Sequence, residues 1–407
     1  MSASRVRGEG AERPNKRVNL PRPRATLRWG ATLAGYARCV RCSPRGSMRR
    51  RLYALTCVGV LAVLVGGVVV WRAIASPHYY SRTVQLSSVA YPDLDHAWVT
   101  GSTWGNSGFS ITGGTIHATA DGGANWRAQE SSTAWSDPYG IAFANVRYGW
   151  LVGGTQPTPG TIPSQDAVIL ATSDGGATWK RQAFPTNASL TGVACANASL
   201  AWVVGDRDIL ATTDGGANWR LQYTTKTGDL WSIAFADTRH GWAVGDDVIL
   251  ATTDGGMSWR QQAVAKGFFL RSVACGDAHC VWAVGSSDAN RDVIVATTNG
   301  GADWRVQYTG GGPDSEGASG YFAVACTDVL HGWVVGLGGT VLATTNGGRT
   351  WNSQRSGTKT NLHDVAFADA KHGIAVGANV EGDDPMAGKL DGSIVLSTAD
   401  GGATWYH

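Results

Sequence analysis

Side chains equipped for chemistry are sparse beyond the first fifty positions. Only three glutamates follow residue 52, namely Glu130, Glu316 and Glu381. A glycosidase that works through two carboxyls needs them about 5–10 Å apart. Two stretches crowd acids closely enough to supply such a pair: Asp314 with Glu316, and Glu381 with Asp383 and Asp384. Asp288-Ala-Asn290-Arg-Asp292 copies the start of a calcium loop but lacks the glycine at its sixth place and the closing glutamate. Cys39 and Cys42 make one C-x-x-C without the second ligand pair that a zinc site needs. Cys275 and Cys280 flank a four-residue turn, near enough for a disulfide in an oxidising compartment. These patterns predict neither a metal nor a cofactor.

The composition accounts for that sparseness. Charged residues are 16% of the 407, against about 25% in ordinary globular chains. Their place is taken by 55 glycines and 18 tryptophans, a pairing expected of turn-dense β structure. An apolar content of 43% excludes a disordered chain, and glycines without a three-residue period exclude collagen. Charge is distributed unevenly. Residues 1–51 hold fourteen Lys/Arg and two acids, whereas residues 52–407 hold twenty Lys/Arg and twenty-nine acids. The acidic body offers no basic field for nucleic acid.

Between them, Leu52 to Trp71 is a run of twenty uncharged residues, long enough as a helix to cross about 30 Å of hydrocarbon. Arg49, Arg50 and Arg51 precede it, which predicts a cytoplasmic N-terminus and an extracytoplasmic body at the cell surface, in a periplasm or in a lumen. Ala73-Ile74-Ala75 resembles a signal cleavage site, but the apolar run exceeds the usual h-region of about 7–15 residues. The expected organisation is a disordered basic tail over 1–51, an anchor or signal-anchor over 52–75 and a folded body over 76–407. Met48 followed by three arginines and the apolar run also reads as a natural start.

From residue 86 the chain repeats itself. T-x-[DN]-G-G-x-x-W occurs seven times, carrying Asp121, Asp174, Asp214, Asp254, Asn299, Asn346 and Asp400 with Trp126, Trp179, Trp219, Trp259, Trp304, Trp351 and Trp405. G-W-x-V-G or a variant ends at Gly101, Gly153, Gly205, Gly245, Gly285, Gly336 and Gly377. L-x-x-V-A-[FC] starts at Leu86, Tyr139, Leu190, Leu230, Leu270, Tyr321 and Leu362. Each repeat of about 46 residues holds four short β-type runs, the length of a propeller blade. The expected fold is all-β: a monomeric seven-bladed propeller of four-stranded blades, preceded by one transmembrane helix. Each D-G-G is expected to reverse the chain between the third and fourth strands, with the Asx side chain bonding local backbone and glycines supplying positive φ. Identical repetition argues for a folding role.

These units resemble the Asp-box, or bacterial neuraminidase repeat, and their sevenfold combination is similar to the photosystem II stability/assembly factor family of propellers. The resemblance covers about 86–407. It implies an extracytoplasmic, non-enzymatic factor that binds membrane-protein subunits during assembly. A sialidase-like or other glycan-active hydrolase is the alternative, and a glycan-binding lectin a third. A sialidase would need three arginines for the substrate carboxylate, and the innermost strands supply one, Arg271.

Deviations among the repeats point to a binding face. The G-W aromatic precedes the D-G-G Asx by twelve or thirteen residues in repeats three, four and six. The gap is 23, 24 and 26 in repeats one, two and seven, so their second-to-third strand loops, neighbours once the ring closes, should cluster on one face. Trp104 and Phe109 lie in the first such loop, Glu381, Asp383 and Asp384 in the last. The second residue of each inner strand varies most: Ser87, Gly140, Thr191, Trp231, Arg271, Phe322 and His363. Trp231, Arg271, Phe322 and His363 would form an aromatic, weakly basic rim at the channel mouth, suited to protein partners. Filling of space between blades is the competing account. Cys195, Cys275 and Cys326 take the place of Phe143, Phe235 and Phe367 as core fillers, and the Lys/Arg-x-Gln after most turn tryptophans reads as outer-strand surface or blade-to-blade bonding. Because the chain ends two residues after Trp405, Tyr79–Gln85 is expected to pair beside the last blade and close the ring.

Overall fold

Alternating apolar residues and turn signals become antiparallel meanders. The computed structural model describes residues 84–104, 111–132, 135–154, 167–262, 267–310, 320–381 and 389–407, plus the dipeptides Leu64–Val65 and Val68–Val69, which pair with each other. The expected membrane span over 52–71 otherwise lies outside them, and no helix among the described residues is long and apolar enough to cross a membrane. The chain divides into two units, Met1–Ile74 and Ala75–His407.

The second unit is a seven-bladed β-propeller. In the fourth blade the strands are Leu230–Phe235, Gly241–Gly245, Val248–Thr252 and Arg260–Gln261, paired in sequence order. Five other blades repeat this order, and the seventh has three strands, Leu362–Phe367, Gly373–Glu381 and Lys389–Thr398. Its fourth place is held by the C-terminus, where Ser397 and Tyr406 exchange two backbone hydrogen bonds of 2.8 Å. Val84 and Gln85 do not close the ring there. They lengthen the inner strand of blade one, opposite Thr103 and Ser102, while Tyr79 to Thr83 lie outside the described residues.

The core lies between blades. Seven apolar clusters each join two consecutive blades, the last joining Leu86, Val89 and Val99 to Ile374 and Val376. The second strands are therefore buried on both faces: in blade three, Ala201 and Val203 face blade two, Trp202 and Val204 face blade four. Trp98 stacks on Phe143, Trp202 on Phe235 and Trp333 on Phe367, with centroids 3.5–3.6 Å apart, each on the following blade. The phenyl ring determines its own blade's next strand. A Cβ on Gly149, Gly241 or Gly373 would run into Phe143, Phe235 or Phe367. Where Cys195 and Cys275 replace the ring, that position carries Ala201 and Val281, which fill the vacated space, whereas opposite Cys326 it remains Gly332, against which Trp351 packs.

Polar bonds lace the inner strands. Ile141, Val273 and Val324 donate backbone N–H groups to Ser88, Ser232 and Ser272 of the preceding blade at 3.1–3.3 Å. At the seam between blades seven and one the acceptor is Asp364, whose Oδ2 takes the Val89 N–H at 2.9 Å and the Ser88 hydroxyl at 2.8 Å. Burial pushes this carboxyl up to about 6 against those hydrogen bonds. Ser393 braces the same seam, accepting from Leu86 N and donating to Val84 O.

Candidate functional site

The D-G-G turns are consumed by the scaffold. In blade three the Thr212 hydroxyl donates to Asp214 and accepts from Gly216 N, while Asn218 donates both its backbone N–H and its side-chain amide to Asp214. The other six turns repeat the hydroxyl and backbone bonds. The partner residue before each tryptophan (Asn125, Thr178, Asn218, Ser258, Asp303, Thr350, Thr404) was legible as a recurring polar position, although it is absent from the motif as read from sequence. Blades five and six exchange the side-chain roles, Asn299 donating to Asp303 at 3.0 Å and Asn346 to Thr350 at 2.9 Å. Donated hydrogen bonds, first those from Thr178, Asn218 and Ser258, hold Asp174, Asp214 and Asp254 down to about 2.

The turns also lock blades together. Gly175 O accepts from Trp98 Nε1 and Gln129 Nε2 of blade one, at 3.1 and 2.9 Å. Gly255 and Gly401 receive the same pair from Trp202 with Gln222 and from Trp333 with Gln354. The recurrent glutamines are thus blade-to-blade ties. Gly216 has φ +93°, and a Cβ there would strike the Gln182 amide. Each first glycine donates its N–H to the turn between strands one and two, as Gly122 does to Asp95 O at 2.8 Å. In those turns Asp93, Asp237, Asp328 and Asp369 receive the ring nitrogens of His96, His240, His331 and His372 at 2.8–3.0 Å.

The opposite face carries the remaining links and the channel mouth. On five inner strands the residue after the first apolar one is a β-bulge: Ser87, Trp231, Arg271, Phe322 and His363 each fall at a register shift. One pleat position is added, and the side chain leaves the ladder toward the mouth. In blade two Pro138 stands opposite Gly153 as Leu86 stands opposite Gly101, and the bulge residue is Tyr139. Tyr139, not Gly140, therefore occupies the rim, and it is 51% exposed. Counting back four residues from Phe143 finds it, as from Phe235 to Trp231; proline in place of leucine hid it.

Part of the rim does bind blade to blade. Ser87 donates to Pro138 O, and Thr191 donates to Leu230 O at 3.0 Å. His363 Nδ1 meets Leu86 O at 2.9 Å, so that nitrogen carries the proton. Burial lowers the His363 pKa, which leaves the ring neutral near pH 7. Arg271 lies 5.7 Å over the Phe322 ring, whose edge meets His363 at 5.7 Å. The rim is accordingly aromatic with one permanent cation, rather than basic. Trp231 is 43% exposed.

Beside Tyr139, Asp137 has φ +44°, a sparsely populated conformation for a non-glycine residue. Its carboxyl accepts the Ser102 hydroxyl at 3.2 Å, and burial raises its pKa. Sequence reasoning passed over Asp137, whose distinction is backbone strain and partial burial rather than a motif.

The described residues include the paired parts of the long hairpins of blades one and seven. In blade seven the second and third strands pair out to Glu381 and Lys389, and in blade one out to Trp104 and Ile111. Phe109, Asp383 and Asp384 lie outside the described residues, as do 155–166 and 311–319. Trp104 is half-buried, and its indole N–H has no partner among the described residues.

Cys275 and Cys280 are free thiols, so the expected disulfide is not present. Cys275 points into the core between blades four and five, whereas Cys280 stands where other blades place the histidine of the Asp-x-x-His turn. Burial pushes the Cys195 thiol up to about 12 and that of Cys275 well above its usual value. Of the calcium-like stretch, Asp292 is 3% exposed rather than solvated. Among the described residues no three His, Cys, Asp or Glu side chains gather to hold a metal ion.

No family model matches the sequence, and no curated protein does. Solved propellers do match. A structure of YCF48 bound to a D1 peptide is 17% identical, with a TM-score of 0.57 over 80% of this chain and 96% of that one. YCF48 from Cyanidioschyzon merolae is 17% identical, with a TM-score of 0.54 over 80% of this chain and 98% of that one. A GH74 xyloglucanase from Xanthomonas campestris is 14% identical, with a TM-score of 0.59 over 82% of this chain but 54% of that one. The first two are the fold neighbours that the repeat resemblance implies. At these identities the likeness establishes the shared fold.

Proposed function

We propose that this chain is a non-enzymatic, membrane-anchored extracytoplasmic propeller that binds protein partners, membrane-protein subunits during assembly or maintenance above all. The observation that carries the reading is the channel mouth. Its bulges turn Tyr139, Trp231, Arg271 and Phe322 out of the ladders, while the repeated polar turns are spent on the scaffold. Exposed Trp, Tyr and Arg on a rigid frame are the side chains that anchor protein interfaces. The fold neighbour bound to a D1 peptide supports a polypeptide as the ligand. The hairpins of blades seven, one and two would widen this face beside the mouth. The test is affinity capture from detergent-solubilised membranes, with recovery of defined membrane-protein subunits as the expected result. Recovery that does not change on removing the rim side chains would refute the assignment of the face.

A glycan-active hydrolase is the second reading, and Asp137 favours it: a strained, partly buried carboxyl at the mouth with a raised pKa is the form that a general acid takes. The xyloglucanase neighbour shares the fold. Turnover of xyloglucan or a sialoside, abolished in Asp137→Asn, would establish that reading in place of the first.

A further inference from the structure

Ser87, Thr191 and His363 spend their polar atoms on the next blade, and Arg271 and Phe322 cover each other. Trp231 does neither. It projects from its bulge 43% exposed, and its orientation is locked because Nε1 donates to Asp246 Oδ1 at 2.9 Å. Phe269 of blade five is also 43% exposed, and its backbone bridges that same Asp246. One indole therefore holds this carboxylate and a second exposed aromatic residue is paired with Asp246 through the backbone, while its Oδ2 has no hydrogen bond or ion pair among the described residues. Asp229 and Asp247 stand in the adjoining links, Asp229 O receiving Asp246 N at 3.0 Å. The cations of this face are not seated there. Arg207 faces Asp229 at 3.9 Å, Arg271 leans over Phe322, and neither Lys226 nor Arg291 pairs with Asp246 or covers Trp231 among the described residues.

The geometry points to a site for one cationic side chain, an arginine or lysine, on an extended partner segment. Its charged head lies on the Trp231 face and meets Asp246 Oδ2, and its aliphatic stem lies along Phe269. The inference rests on the protein-binding reading and names the chemistry of the partner. The uncommitted oxygen of Asp246 favours a cation over a neutral sugar, and fixing the indole beforehand removes its ordering cost from binding.

Fluorescence anisotropy of the full chain with short labelled peptides, equal in length and carrying either arginine or glutamate, tests this. The arginine peptide binds and the glutamate peptide does not. Trp231→Ala and Asp246→Asn each weaken binding by about tenfold. Asp246→Asn keeps an acceptor for the indole N–H and removes the charge alone, so it separates recognition from a misplaced ring. Equal binding of the two peptides, or unchanged affinity in Asp246→Asn, overturns the proposal, as does loss of xyloglucan-oligosaccharide binding in Trp231→Ala without any peptide preference. Membrane-protein capture is run in parallel. Capture by no form removes the protein-binding reading itself, whereas capture undiminished by Trp231→Ala removes only the cation site.

Discussion

Replacing Asp364 by serine should remove one component of the protein's pH-dependent stability. Blades one, four and five use Ser88, Ser232 and Ser272 at the equivalent place, so serine fits the inner-strand geometry and can still accept the Val89 N–H. The native carboxyl titrates at about 6 and the unfolded one at about 3.8. Between those values the native state holds more protons than the unfolded state. Stability from this group is therefore complete below about pH 4, falls as pH rises and is lost above about pH 6. A rise of about two units is worth at most about 3 kcal/mol. Urea unfolding from pH 4 to 7.5, on wild type and Asp364→Ser, measures the difference directly, because the other carboxyls titrate alike in both. Asp364→Ala, which leaves Val89 N–H without its acceptor, should be about 1–3 kcal/mol less stable than Asp364→Ser. Parallel pH profiles for wild type and Asp364→Ser would refute the argument that a buried charge sits at the ring seam.

Gly216→Ala should cost more than Gly123→Ala. Both glycines have φ near +90°, but a Cβ on Gly216 would strike the preceding blade's Gln182, whereas one on Gly123 would meet Trp126 only at 3.8 Å. Strain alone costs about 1 kcal/mol and the collision more, which denaturant midpoints resolve. Cys195→Phe should destabilise by about 1–3 kcal/mol through overpacking against Ala201, and adding Ala201→Gly should recover most of it, as the Phe143/Gly149 pair shows. Phe235→Ala should cost about 3–5 kcal/mol by opening a cavity beneath Trp202. Iodoacetamide should modify Cys280 in the native protein but reach Cys195 and Cys275 only after unfolding, as mass spectrometry would show; resistance of Cys280 in the unreduced, unfolded chain would indicate the disulfide instead.

Blade number, strand order and the D-G-G reversals were legible because each depends on a local pattern repeated seven times, and one chain served as its own alignment. Cysteine at a phenylalanine position was legible in the same way. The substitution at Pro138 broke that register and concealed Tyr139. Asp137 carries no motif, and its character comes from a backbone angle. Cys280 appeared to be a partner for Cys275 because sequence distance was short, yet the two side chains belong to different surroundings.

The sequence alone determined that the body is a ring of seven meanders, since periodicity specifies which residues pair with their neighbours. What each variable side chain faces was decided by tertiary structure. Closure brings Asp364 and Ser393 against a strand some three hundred residues earlier, and the bulges choose which side chains leave the ladder. Both are contacts between blades, and such contacts depend on a register and a seam that no local spacing encodes.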